Sequence, residues 1–137
     1  MKKVFLLLFI INLTTCPEII NEAVYKIVSE SHFFVNEEEN CVKLSDIDIK
    51  SGFIHLSYGY QAINTVQKFF DDSNKVLLLE INLEILQKNM AVLQVEANKP
   101  GGNKFPHLYG IVKIPKAAIK KILILQKQDN NSWALMK

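Results

Sequence analysis

The sequence predicts one small α+β domain, built on a split, mostly antiparallel β-sheet with a single main amphipathic helix. Three observations carry that reading. The chain has 137 residues, 49% hydrophobic and 22% charged, which supplies one core and leaves no room for two ordinary domains. Its apolar segments are short, β-rich and separated by turn residues. Only Ala62, Ile63, Val66, Phe69 and Phe70 sustain apolar residues at helical spacing.

The elements follow in chain order. Residues 1–16 carry Lys2 and Lys3, then an almost wholly apolar run from Val4 to Leu13, then Thr14-Thr15-Cys16. A basic start, a short apolar stretch and a polar end are the pattern of an export signal. Spanning a bilayer takes about 20 apolar residues, so a transmembrane helix is not expected. The Leu13-Thr14-Thr15-Cys16 box resembles a lipoprotein cleavage site, although Thr15 stands where a small Gly, Ala or Ser is usual. Export is therefore the expectation, with an uncleaved cytoplasmic chain as the alternative, and residues 17–137 form the domain.

Ala23–Val28 reads as a strand, and Ser29–Asn40 as a polar, acidic loop or short helix around Phe33 and Phe34. Gly52–Ser57 is the next strand, leading into the main helix, which ends at Asp71-Asp72-Ser73-Asn74. Val76–Ile81 is nearly continuously apolar and predicts a central strand. Asn82 caps a helical turn holding Leu83 and Leu86. Met90–Val95 predicts a strand, Lys99–Gly110 is dense in turn formers, and Pro115 opens a helical turn through Ala118. Ile119–Leu125 is the last strand expected, and the polar tail from Gln126 reads as loose, with Trp133 as the one residue in it able to dock.

All 16 basic residues are Lys, and setting aside Lys2 and Lys3 leaves 14 against 14 acidic residues. A neutral body without Arg speaks against nucleic-acid binding, which needs a basic surplus to neutralise phosphates. The three His and two Cys show no metal-ligand spacing, so no metal is expected. P-loop, dinucleotide-binding and nucleophile-elbow motifs are absent.

Polar groups converge at three places. In the strand Phe53-Ile54-His55-Leu56-Ser57, alternation puts Ile54 and Leu56 on one face and Phe53, His55 and Ser57 on the other. If the aliphatic pair faces the core, two hydrogen-bonding groups look into a groove beside an aromatic, as in many small-ligand sites. In the second place, Gly101 and Gly102 allow close backbone approach, and extended geometry after Pro106 gives His107 and Tyr109 a common face. The acids are third: Glu96 precedes the glycine loop, and Glu80 sits inside an apolar run. A carboxylate near a pocket serves as base or steadies a developing cation. The plainer alternative makes each His a core residue satisfied by backbone and Ser57 a helix cap.

The blocks Tyr25-Lys26-Ile27-Val28-Ser29, Gly52-Phe53-Ile54-His55-Leu56-Ser57, Val76-Leu77-Leu78-Leu79-Glu80-Ile81 and Phe105-Pro106-His107-Leu108-Tyr109-Gly110 occur in this order. Together they resemble the bacterial family called domain of unknown function 952, over about residues 23–125. That family resembles the ADP-ribosyltransferase fold, a split sheet clasping NAD in a central cleft. The resemblance implies NAD as a cofactor, with Tyr25 and Lys26 at the first-strand ribose position, His55 and Ser57 lining the cleft, and Glu96 as the carboxylate. Relatives often carry His where this chain has Lys26, Thr where it has Tyr58, and Trp where it has Val95. The Tyr58 substitution assigns capping of the next helix to Ser57.

Three functional readings follow. The first is a module that binds a small ligand, a nucleotide or NAD-like molecule among the candidates, using His55, Glu96 and His107 with Tyr25, Lys26, Phe53, Ser57, Gly101, Gly102 and Tyr109. The second is an ADP-ribosyl-transferring or NAD-cleaving enzyme with His55, Glu96 and His107 as catalytic groups. The third is an exported envelope protein with a vestigial groove.

Overall fold

The computed structural model describes residues 17–33 and 35–137. The predicted export segment, 1–16, lies outside them. The described elements run β1 (Val24–Ser29), a 3-10 turn (Glu30–His32), β2 (Val35–Asn36), β3 (Cys41–Val42), α1 (Asp46–Ser51), β4 (Ile54–His55), β5 (Ser57–Tyr58), α2 (Gly59–Phe69), β6 (Lys75–Ile81), α3 (Leu83–Lys88), β7 (Val92–Ala97), β8 (Lys104–Tyr109), β9 (Ile114–Pro115), a 3-10 turn (Lys116–Ala118), β10 (Ile119–Lys127) and β11 (Trp133–Leu135).

These strands form three antiparallel sheets. The largest has the order β11-β10-β6-β1-β5, and two three-stranded sheets have the orders β2-β3-β9 and β4-β8-β7. Strand β6 lies at the centre of the largest sheet because Val76–Ile81 is buried along its whole length. Its two faces feed two cores. Leu77, Leu79 and Ile81 join Ile54, Leu56, Leu108 and Ile114, whereas Val76 and Leu78 join Tyr25, Ala62, Val66 and Leu125 beneath α2. Leu78 and Leu79 are fully buried on opposite faces, and each contributes roughly 1.5–3 kcal/mol by leaving water.

The strand expected over Gly52–Ser57 is divided between two sheets. Ile54 and His55 pair with Leu108 and His107 of β8, while Ser57 and Tyr58 pair with Tyr25 and Val24 of β1. Leu56, between them, donates its N–H to Pro106 O at 3.1 Å and keeps its side chain in the core. This one segment stitches the small sheet to the large one.

Helix α2 begins at Gly59, earlier than its apolar spacing suggests, and its start is closed differently from the expectation. Gln61 Oε1 accepts from Tyr58 N at 3.0 Å. Ser57 does not cap the helix; its hydroxyl donates to Thr65 Oγ1 at 3.4 Å. Gly59 is obligatory for space, since a Cβ there would stand 1.9 Å from Ile20 O.

Two further corrections concern elements with weak local signals. Helix α1, in a stretch to which the sequence reading assigned no element, is six residues long, with Ser45 Oγ accepting from Asp48 N at its start and Gly52 at φ +79° at its end. The tail is not loose: β10 runs on to Lys127, and β11 returns to pair Leu135 with Leu125. Trp133 is thereby buried against the core under α2. An isolated polar tail has no reason to order, but a buried Trp and three ladder pairs supply one.

Candidate functional site

The two histidines come together through strand register. His55 of β4 stands directly opposite His107 of β8, and their ring centroids are 5.4 Å apart in an edge-to-face arrangement. Phe53 sits against both, 4.6 Å from the His55 ring and stacked at 4.3 Å on His107. Tyr109, two residues along β8 on the same face, completes the cluster 5.1 Å from Phe53. Alternation on two paired strands thus gathers four rings from distant stretches.

Each imidazole is held by a carboxylate. Asp48 of α1 accepts at Oδ1 from both the main-chain N (3.0 Å) and the ring Nδ1 (2.9 Å) of His55. Asp48 Oδ2 has no hydrogen-bond donor of good angular geometry, but Lys26 Nζ stands 2.6 Å away and compensates its charge. Lys26 also donates to His55 O at 3.1 Å. Burial pushes the Asp48 carboxyl up, yet the His55 hydrogen bonds and the Lys26 charge outweigh it and hold the group well below the usual carboxylate range. Burial pulls the Lys26 ammonium below its ordinary value, and Asp48 opposes that pull.

On the other side, Glu96 of β7 accepts at Oε1 from His107 Nδ1 at 2.9 Å and from the Tyr109 hydroxyl. Those bonds, Tyr109 first and His107 second, lower the Glu96 carboxyl, and the Glu96 bond raises the Tyr109 hydroxyl. His107 is buried, and its Nε2 has no hydrogen-bond partner among the described residues.

These groups border a cavity of about 1100 Å³. Its wall includes Lys26, Phe53, His55, Ser57, Glu96, His107 and Tyr109, with Leu44, Ile47, Phe69 and Phe70 forming an apolar portion. Three sequence-predicted site residues lie elsewhere. Tyr25 does not border the cavity, because it alternates with Lys26 along β1 and points into the core under α2, where its hydroxyl accepts from Ile20 N and donates to Glu80. Burial, ahead of the Glu80 charge, raises that hydroxyl above its ordinary range. Gly101 and Gly102 do not border it either, since their loop forms the β7–β8 turn beyond the wall. Among the described residues, no group of three or more His, Cys, Asp or Glu side chains is placed to hold a metal.

The profile of the protein family described as Protein of unknown function (DUF952) matches residues 27–122, most of the chain. The chain belongs to the DUF952 family. Both His blocks fall inside the matched span. The crystal structure of protein CC0527 from Caulobacter crescentus is similar, with 30% identity and a TM-score of 0.65, covering 81% of this chain and 92% of that one. The solution NMR structure of CC0527 gives 29% identity and a TM-score of 0.60, covering 80% and 90%. No curated protein matches. The likeness covers the mixed α/β arrangement with antiparallel sheets described above.

Sequence reasoning missed Asp48. The available signal was Ser45 three positions before it, the spacing of a helix N-terminus. The apolar pattern pointed the other way: Ile47 and Ile49 are 60% and 65% exposed while Asp48 between them is 2% exposed. Only Lys26 on β1 and the His55 donors on β4 make the acid the buried residue of this helix.

Proposed function

We propose that this protein is a small-ligand-binding domain whose cavity presents His55 and His107 to the bound molecule. The observation that carries the reading is the pair of opposed imidazoles, each braced by a carboxylate, at the wall of the same cavity. Pockets of this kind combine mostly apolar lining with a few fixed polar groups. The apolar portion around Leu44, Ile47, Phe69 and Phe70 takes the body of the ligand, and the imidazoles take its polar head. A panel of nucleotides and metabolites, NAD and ADP-ribose included, tests the reading by thermal shift. A ligand at a hundred times its Kd stabilises by about 2.7 kcal/mol. His107→Ala should abolish the rise in Tm; silence across the whole panel would sink the reading.

A second reading is cleavage of NAD or transfer of its ADP-ribosyl group, within an ADP-ribosyltransferase-like fold. It is favoured by Glu96, a carboxylate on the cavity wall with its side chain 41% exposed and its pKa held low. Such an anion stabilises a cation-like sugar. NAD consumption that is equal in the wild type and Glu96→Gln would remove it. Export by the 1–16 segment belongs to this proposal, and N-terminal sequencing of the fractionated mature chain tests it.

A further inference from the structure

We propose that the polar end of the cavity selects hydrogen-bond donors and turns away anions: its ligand presents an amide- or amidine-type head to His55 and His107. The proposal rests on the reading of the cavity as a ligand site and specifies what that site takes. Its basis is the tautomer that each ring must adopt. An ionised carboxylate only accepts hydrogen bonds. Asp48 accepts from His55 Nδ1, and Glu96 accepts from His107 Nδ1. In its neutral form each ring therefore carries its proton on Nδ1 and a lone pair on Nε2.

Neither lone pair is used within the described residues. The bonds of His55 among the described residues use its N, O and Nδ1 and leave Nε2 without one, and its side chain is 27% exposed at the cavity wall. His107 Nε2 is buried without a partner, in a residue that borders the same cavity. A buried acceptor left unpaired is costly, and a ligand donor recovers that cost. Engaging it requires the wall to shift, and Phe53, stacked on the His107 ring, is part of that wall.

The charges around the rings agree with this polarity. Lys26 is committed to Asp48 at 2.6 Å and to His55 O, so it offers no free cation to an anionic ligand. Lys43 and Asp46, further along the wall, carry opposite signs. Glu96 leaves the polar end negative. A carboxylate or phosphate there would meet two lone pairs and an unneutralised acid. An amidinium or primary amide would meet two acceptors.

The test uses the unmodified protein and three probes of one shape: benzamidine, benzamide and benzoate. Long-range proton–nitrogen NMR reads the tautomers directly. It should show both rings protonated at Nδ1 at neutral to mildly alkaline pH. Titration should move the Nε2 signals with benzamidine and benzamide, with benzamidine binding about tenfold or more tighter than benzoate. A proton on Nε2 of either ring overturns the proposal. So does benzoate binding as tightly as benzamidine, or failure of all three probes to move either imidazole. If the nucleotide and metabolite panel raises Tm in a His107-dependent way while benzoate wins, the ligand site stands and its donor selectivity falls. If panel and probes are both silent, both fall.

Discussion

The two imidazole–carboxylate pairs have the same bond and opposite surroundings. At His55 the acid is sealed and the ring is open: the Asp48 side chain has no exposure and His55 has 27%. At His107 the ring is sealed and the acid is open: 2% for His107 and 41% for Glu96. A sealed carboxylate requires a compensating charge, and β1 supplies Lys26. The open one faces solvent and accepts from the neutral hydroxyl of Tyr109. The contrast teaches that Asp48 bears on folding as well as on ring orientation, whereas Glu96 bears mainly on orientation.

The sharpest way to break this comparison is to delete each acid. Asp48→Ala leaves Lys26 buried without a counter-ion and should destabilise the fold by about 3–5 kcal/mol in urea denaturation. Lys26→Met should fall in the same range, and the double variant should cost clearly less than the two added together, because the residues share one interaction. Additive losses would mean that the ion pair is not a unit.

Acid titration of stability is the next largest effect. Asp48 has a folded-state pKa below its unfolded value of about 3.9, so the unfolded chain takes up the proton first as pH falls. Its contribution is fully present above that value and is lost as pH falls below about 4. Tm measured from pH 6 to pH 3 should drop, and Asp48→Asn, though less stable throughout, should show a shallower acid limb. An unchanged slope would contradict the role given to Asp48.

Glu96→Gln should change stability little, since the pair is partly exposed and screened. Its effect should appear instead in the His107 ring signals. Tyr109→Phe is expected to be the mildest change: it removes one of two donors to Glu96 and leaves the ring packing against Phe53. The Glu96 carboxyl should then titrate at a higher pH, readable by side-chain NMR, with Tm nearly unmoved. A large loss of Tm in either variant would erase the asymmetry between the two pairs.

Much of this arrangement was legible in residue order. Alternation in Phe53–Ser57 and in Phe105–Tyr109 separates core-facing Ile54 and Leu108 from cavity-facing Phe53, His55, His107 and Tyr109, whereas Leu56 packs in the core and also borders the cavity. The same rule, applied strictly, would have separated Tyr25 from Lys26, since neighbours on a strand face opposite ways. Proximity in a motif hid that distinction. Gly101 and Gly102 looked like a ligand cradle, but glycines serve a turn between strands equally well. Helix α1 has only six residues and exposes its isoleucines, so neither length nor periodicity announces it.

By itself the sequence determined the α+β class, the central position of Val76–Ile81, the main helix and the two faces of the His-bearing strands. Local periodicity and side-chain hydrophobicity suffice for those, because each depends on neighbours a few residues away. Tertiary structure alone decided that His55 lies opposite His107, that Asp48 rather than Ile47 or Ile49 is buried, and that the C-terminal strand docks through Trp133. Those outcomes hinge on register between distant strands and on buried charge finding its counter-ion, and both are settled only when the sheets close on one another.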